Sequence, residues 1–225
     1  AYLDVNNNED EGNKIENEEI DYEELERQKR EKFEQQKNNL VITSQMLDID
    51  GKLIATIYNG NEETIENVLV QVIFYNGEDK PIKIDEKTIE VFDNQSDYFL
   101  FFEDTPKSYE RCEFLITKEN FYNNYNSKKD EISFTVKEKA DENVIEISGK
   151  NNSDHKIQRV NFAVVYYNEN NQIIAIRESS QYDIKKQKEF KIQLNKQLYS
   201  YDTFEDVPYS RYEVRLLNAM SYVEK

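Results

Sequence analysis

Tryptophan is absent, histidine and cysteine occur once each, and only three prolines and five glycines serve 225 residues. A single cysteine, Cys112, excludes an internal disulfide framework and a cysteine-ligated zinc site. A single histidine, His155, removes most triads and histidine metal sites. No run approaches the roughly 18 apolar residues that span a bilayer as a helix, and the N-terminus has neither the basic head nor the apolar stretch of a signal peptide. Bases are few: 29 Lys and Arg against 46 Asp and Glu leave a net charge of −17. Without a clustered basic patch to grip phosphates, nucleic acid is excluded as the main partner. The hydrophobic fraction, 37%, also falls below the roughly 45–50% of an average globular domain.

What is present is unevenly placed. The first 24 residues carry ten acids against Lys14 alone, a local charge of −9 and more than half of the total. Up to about Asn17 they hold too little apolar surface to offset ordering entropy, which predicts a disordered arm. From about Glu18 to Lys37 strong helix formers follow without Gly or Pro, and Glu23/Arg27 and Glu26/Arg30 stand at i,i+4 with the acid first. A helix is expected there. Its apolar positions Ile20, Leu25 and Phe33 are too sparse for a core-facing stripe, so it reads as a solvated tether, with a partner-binding helix as the alternative.

Beyond residue 38 the period becomes two. Leu40, Ile42 and Ser44, then Leu53, Ala55 and Ile57, then Val68, Val70, Val72 and Phe74 form short alternating runs bounded by Asn, Asp or Gly. Asp50-Gly51 and Asn76-Gly77 between such runs are hairpin signals, because the favoured two-residue turn needs positive φ at both positions. The remaining turns fall to Asn and Asp, which tolerate the left-handed region.

The chain also repeats itself. A shift of 92 places Asn59 on Asn151, Ile65 on Ile157, Val68 on Val160, Val72 on Val164, Tyr75 on Tyr167, Asn76 on Asn168 and Ile84 on Ile176. Near the end a shift of 102 sets Pro106 on Pro208, Cys112 on Val214 and Phe114 on Leu216, which gives the second repeat about ten extra residues near Lys196 to Glu205. A period of this length is that of a small domain rather than a solenoid. The expected organisation is an acidic arm and helix at 1–37, a first β-sandwich at 38–117, a linker at 118–130 and a second β-sandwich at 131–225. About seven short alternating runs per repeat, without helical period, predict an all-β chain of two consecutive immunoglobulin-like antiparallel β-sandwiches.

Val72-Ile73-Phe74-Tyr75-Asn76 and Val164-Val165-Tyr166-Tyr167-Asn168 each follow a polar turn and precede a short step to Pro81-Ile82 or Ile173-Ile174. These strings resemble the Phe-x-Leu-Tyr-Asp signature of the FxLYD domain, an immunoglobulin-like module of bacterial surface proteins and lipoproteins. Two signature positions differ, Asn stands for Asp, and the family's Gly-rich turn is missing. The resemblance spans both repeats, roughly 170 residues by direct count. It implies an extracytoplasmic binding or spacer module without catalytic residues, at the cell surface or secreted. Lacking an initiating Met and a signal segment, the sequence reads as a processed or partial chain, with room for a lipid or membrane anchor upstream.

Catalytic chemistry finds little support. His155 sits in a polar turn with no nucleophile or orienting group beside it in sequence. Alternation puts Cys112 on the core face with Phe114 and Ile116, where a thiol behaves as a small hydrophobe. Asp48-Ile49-Asp50-Gly51 opens like a calcium loop, but Asn59 stands where the closing Glu should be. Asn94-Gln95-Ser96 and Asn151-Asn152-Ser153 match the glycosylation triplet, as chance allows in so Asn-rich a chain. No enzyme activity, cofactor or metal is expected. Recognition is assigned instead to the aromatic insert of the second repeat, with Tyr199, Tyr201, Phe204 and Tyr209 as ligand-binding candidates and protein or cell-envelope polysaccharide as partner. The competing reading is that these rings cap the end of the barrel or fix the angle between domains, as in a structural spacer or assembly subunit. Such a subunit would contact other chains through sheet edges or the N-terminal helix.

Overall fold

Residues 22–223 are described by a computed structural model; the expected disordered stretch lies outside them. Within that range the chain is all-β apart from one α-helix, with thirteen strands in four antiparallel sheets. Helix α1 (Tyr22–Lys37) leads into β1 (Leu40–Leu47), β2 (Leu53–Asn59), β3 (Ile65–Tyr75), β4 (Pro81–Phe92), β5 (Ser96–Phe102) and β6 (Arg111–Lys118). A short β7 (Tyr125–Ser127) precedes β8 (Ile132–Lys139), β9 (Val144–Asn151), β10 (Ile157–Tyr167), β11 (Ile173–Ile184), β12 (Glu189–Asn195) and β13 (Arg211–Tyr222). No helix among the described residues is long and apolar enough to cross a membrane.

Strand order is the same in both halves. The first has sheets β1-β2-β5 and β4-β3-β6; the second has β8-β9-β12 and β11-β10-β13, with β7 added beyond β13 from the segment expected as a linker. Each pair of sheets shares a core. Leu53, Ala55, Ile57, Leu100 and Phe102 meet Val68, Val70, Val72 and Phe74 in the first half. Val160 and Phe162 meet Ile147, Phe190 and Ile192 in the second.

The repeat is closer than the sequence shift near its end suggested. Tyr75 pairs with Arg111 and Tyr167 with Arg211, so the last strands are related by a shift of 100, not 102. In that register Tyr109-Glu110-Arg111-Cys112-Glu113 lies on Tyr209-Ser210-Arg211-Tyr212-Glu213. Both copies are built alike: each Arg lies 3.7 Å from the ring centroid of its Tyr, whose hydroxyl donates to the Glu. Tyr109 packs edge-on against Phe74 as Tyr209 does against Tyr166, at 4.9 and 5.0 Å.

Two buried asparagines hold equivalent junctions. Asn59 Nδ2 donates to the carbonyls of Glu63, Phe92 and Asp93, and its Oδ1 accepts from Asn61 N and Nδ2. Asn151 Nδ2 donates to the carbonyls of His155, Ile184 and Lys185, and its Oδ1 accepts from Ser153 N and Oγ. Both side chains are fully buried, so backbone groups that no strand ladder reaches are satisfied from within. Asn151 is therefore no accessible glycosylation acceptor in the folded chain.

Turn chemistry departs from the two-residue expectation at both hairpins. Between β1 and β2 only Gly51 takes positive φ (+70°), and Asp48 Oδ1 accepts from the backbone of Asp50 and Lys52 to close a longer loop. Between β3 and β4 the positive φ (+60°) falls on Asp79 and not on the Asn76-Gly77 pair. Asn76 Oδ1 accepts from the backbone of Glu78 and Lys80, which closes a longer loop next to a bulge at Phe74/Tyr75. Asn168 and Asn171 repeat that turn in the second half.

Helix α1 is wet along most of its surface but not a free tether. Phe33 is 3% exposed within the first half's core, and Lys118 Nζ lies 5.6 Å from its ring centroid. Lys32 pairs with Glu63 at 2.6 Å, and Asn61 Nδ2 donates to Gln36 O. One large ring, supported at the helix end, suffices to dock a helix whose stripe is too narrow to register as periodic.

Candidate functional site

The two halves meet face to face, and the candidate site lies at the edge of that contact. β2 and β5 are buried on both faces. Direct pairing puts Leu53, Ala55, Ile57 and their partners Phe102, Leu100 and Tyr98 on the inner face, leaving Ile54, Thr56, Phe99 and Phe101 on the other. The first half's cluster of apolar residues then continues without a break into Ala163, Val165, Tyr167, Ile176 and Leu217 of the second. Arg215 lies 5.7 Å from the Phe99 ring centroid, Asn218 Nδ2 donates to Val91 O, and Arg159 pairs with Glu90.

At one end this contact opens into a cleft of about 400 Å³. Tyr98, Phe99, Phe101 and Ile176 give it apolar walls, while Lys87, Glu103, Arg177 and Glu178 give it charge of both signs. Loss of hydration raises the Glu178 carboxyl pKa, with Lys87 and Arg159 pulling it down and Glu103 adding to the rise. Burial likewise raises the Tyr98 hydroxyl.

The aromatic insert closes the cleft's rim. It is fastened at its base: Leu198 is 1% exposed in the second half's core, and Ser200 Oγ donates to Asp50 Oδ1 at 2.6 Å across to the first half. Arg177 donates to Tyr199 O, faces Asp50 at 3.8 Å and lies 5.6 Å from the Tyr201 ring centroid. Asp48 behind it accepts from the backbone of Asp50 and Lys52 and faces Arg177 at 4.0 Å, yet burial still raises its pKa.

Of the four candidate residues the structure brings three together. Tyr199 stacks edge-on with Tyr201 and Phe204 at 5.8 and 6.5 Å, and Tyr201 and Phe204 are 66% and 74% exposed. Phe204 holds φ +58°, a left-handed conformation that disfavours a bulky side chain. Tyr209 stands apart, packed on Tyr166 and donating to Lys196 O as part of the repeated Tyr-x-Arg-x-Glu strand entry. Sequence reasoning missed Asp50, Lys87, Arg177 and Glu178. The unbroken run Tyr98 to Phe102 was the available signal, since a strand apolar on both faces must be covered on both.

His155 is half-buried in the β9–β10 turn. Cys112 faces Phe74 and the core, within 3.5 Å of Gln45 Oε1, and burial raises its thiol pKa, the opposite of nucleophilic activation. Among the described residues no cluster of three or more His, Cys, Asp or Glu is placed to hold a metal. No protein-family model matches the sequence, and no curated protein is similar to it.

Proposed function

We propose that this chain is a non-enzymatic, extracytoplasmic binding module of a bacterial envelope protein. In this reading β1–β6 and β8–β13 are two immunoglobulin-like sandwiches of the FxLYD kind, joined so that the second one's loop meets the first one's turn. The ligand, a protein or an envelope polysaccharide, is gripped by Tyr201 at the mouth of the interfacial cleft and by the exposed Phe204 ring of the same loop.

The observation that carries the reading is Phe204. A bulky residue kept at positive φ costs on the order of 1–2 kcal/mol, and its ring is spent on solvent rather than on the core. The loop beneath is pre-anchored by Leu198 and the Ser200–Asp50 bond, so little ordering would remain to be done on binding.

The test is a binding assay on purified cell-wall polysaccharides and an envelope-protein array, with Tyr201→Ser and Phe204→Gly combined. Deleting the whole loop would also remove Leu198 from the core, so point changes are the cleaner probe. Binding of one ligand class by the parent, weakened at least tenfold in the double variant, is the expected result; equal binding by both, or by neither, defeats the reading. A structural spacer or assembly subunit is the second reading, favoured by the continuous core between halves and the Ile49 N to Ile174 O bond, and it predicts no dependence on either ring.

A further inference from the structure

Two sheet faces point away from the centre of the molecule, and they differ in chemistry. On β8-β9-β12 the outward positions are Ser133, Thr135, Lys137, Ser148, Lys191 and Gln193, laced by the Glu146 carboxylate, which accepts from Gln193 and pairs with Lys139 and Lys191. That face is complete in water. On β4-β3-β6 the outward rows read Ile84–Ile73–Glu113, Glu86–Gln71–Leu115 and Thr88–Leu69–Thr117. Ile84 is 54% exposed and Leu115 44%, while at the far end of the face Thr88 borders the interfacial cleft and Glu90 pairs with Arg159.

The repeat gives those positions meaning. Ile73 and Ile84 correspond to Val165 and Ile176, which are 0% and 4% exposed because the first half's β2–β5 face lies on them. The same apolar positions are thus present in both halves and covered in one. A solvated sheet face has no need of branched aliphatics at such points, whereas a docked one does.

We infer that the β4-β3-β6 face of the first half is an interface for a second copy of this chain, joined two-fold through Ile73, Ile84 and Leu115. The covering β2–β5 face is consumed within each chain, and the other outward face is charged. The apolar sheet surface a copy still offers is therefore this same one. At its rim Arg111 is paired within the chain with Asp79 and Glu113, and Glu86 stands across the sheet. Sheets packing in this way align at roughly 30° through their own twist.

Sedimentation velocity of the full chain between 1 and 200 µM tests this. A concentration-dependent dimer is expected, and because each chain carries −17 it should tighten as NaCl rises from 50 to 500 mM. Ile84→Lys and Leu115→Lys, both at exposed positions and so compatible with folding, should each weaken it at least tenfold. Thr135→Lys on the charged face should leave it unchanged. A monomer at 200 µM in 500 mM NaCl, or a dimer indifferent to both lysine substitutions, overturns the inference and leaves the face to an unlike partner.

Discussion

Replacing Asn59 or Asn151 by alanine tests the idea that each half is held by one buried amide. Each side chain makes five hydrogen bonds, with donor–acceptor distances from 2.7 to 3.4 Å, and neither is open to water. At a net value of about 0.5–1.5 kcal/mol per bond, five bonds would be worth about 2.5–7.5 kcal/mol. The three carbonyls keep a second lone pair and the longest contacts are weak, so the low end applies, while the Asn61 or Ser153 amide is left buried without an acceptor. The expected loss is about 3–4 kcal/mol for either substitution. Urea unfolding followed by far-UV circular dichroism measures it as a fall in midpoint at constant m. Because the two junctions are equivalent, their losses should agree to within about 1 kcal/mol. A loss below about 1 kcal/mol at either position would refute the argument, since the carbonyls would then be satisfied some other way.

Other consequences are as direct. Phe33→Ala should cost about 3–4 kcal/mol and release helix α1 to limited proteolysis, because that ring is the helix's one buried anchor. Gly149→Ala should lower the melting temperature, since a methyl group there would fall inside the Phe190 ring packed over β9. Hydrogen bonds from Gln193 first, then Lys139, pull the Glu146 carboxyl down to about 2. With its folded value below the unfolded one, its stabilisation is complete above about pH 4.5 and is lost as pH falls toward 2; carbon-13 NMR titration should read the low value, and Glu146→Gln should flatten that acid limb. Ser200→Ala removes the bond to Asp50 and should speed amide exchange in residues 198–206 by about five- to tenfold, an effect of about 1 kcal/mol.

Alternating apolar residues announced the strands, and the shift of 92 announced that strand order would repeat, because period and spacing are one-dimensional properties. Register at the last strand was not of that kind. Pro106 and Pro208 drew the alignment to 102, while Arg111 and Arg211, paired across from Tyr75 and Tyr167, put it at 100. Turn geometry at Asp50-Gly51 and Asn76-Gly77 was misread because the Asp48 and Asn76 side chains, each accepting two backbone bonds, selected longer loops than the dipeptides prefer. Tyr201 and Phe204 were legible as aromatics in an insertion, but the partners that fasten their loop, Asp50 and Arg177, lie about 150 and 25 residues away and meet it only in the fold. Phe33 shows the same limit: one ring in a polar helix carries no periodic signal, yet it is the helix's one buried side chain.

The locked asparagine side chains also set the chemical lifetime of the chain. Asn59-Gly60 and Asn76-Gly77 are the two sequences most prone to deamidation, in which the glycine amide nitrogen attacks the asparagine side-chain carbonyl. In the fold both carbonyl oxygens are held by two donors each, and Asn59 is enclosed as well, so the cyclisation must wait for local opening. Ageing at these sites is thereby tied to unfolding rather than to exposure. At Asn59 it would be self-reinforcing: the product carboxylate would face the carbonyls of Glu63, Phe92 and Asp93, open the junction further, and turn a slow chemical lesion into loss of the first half.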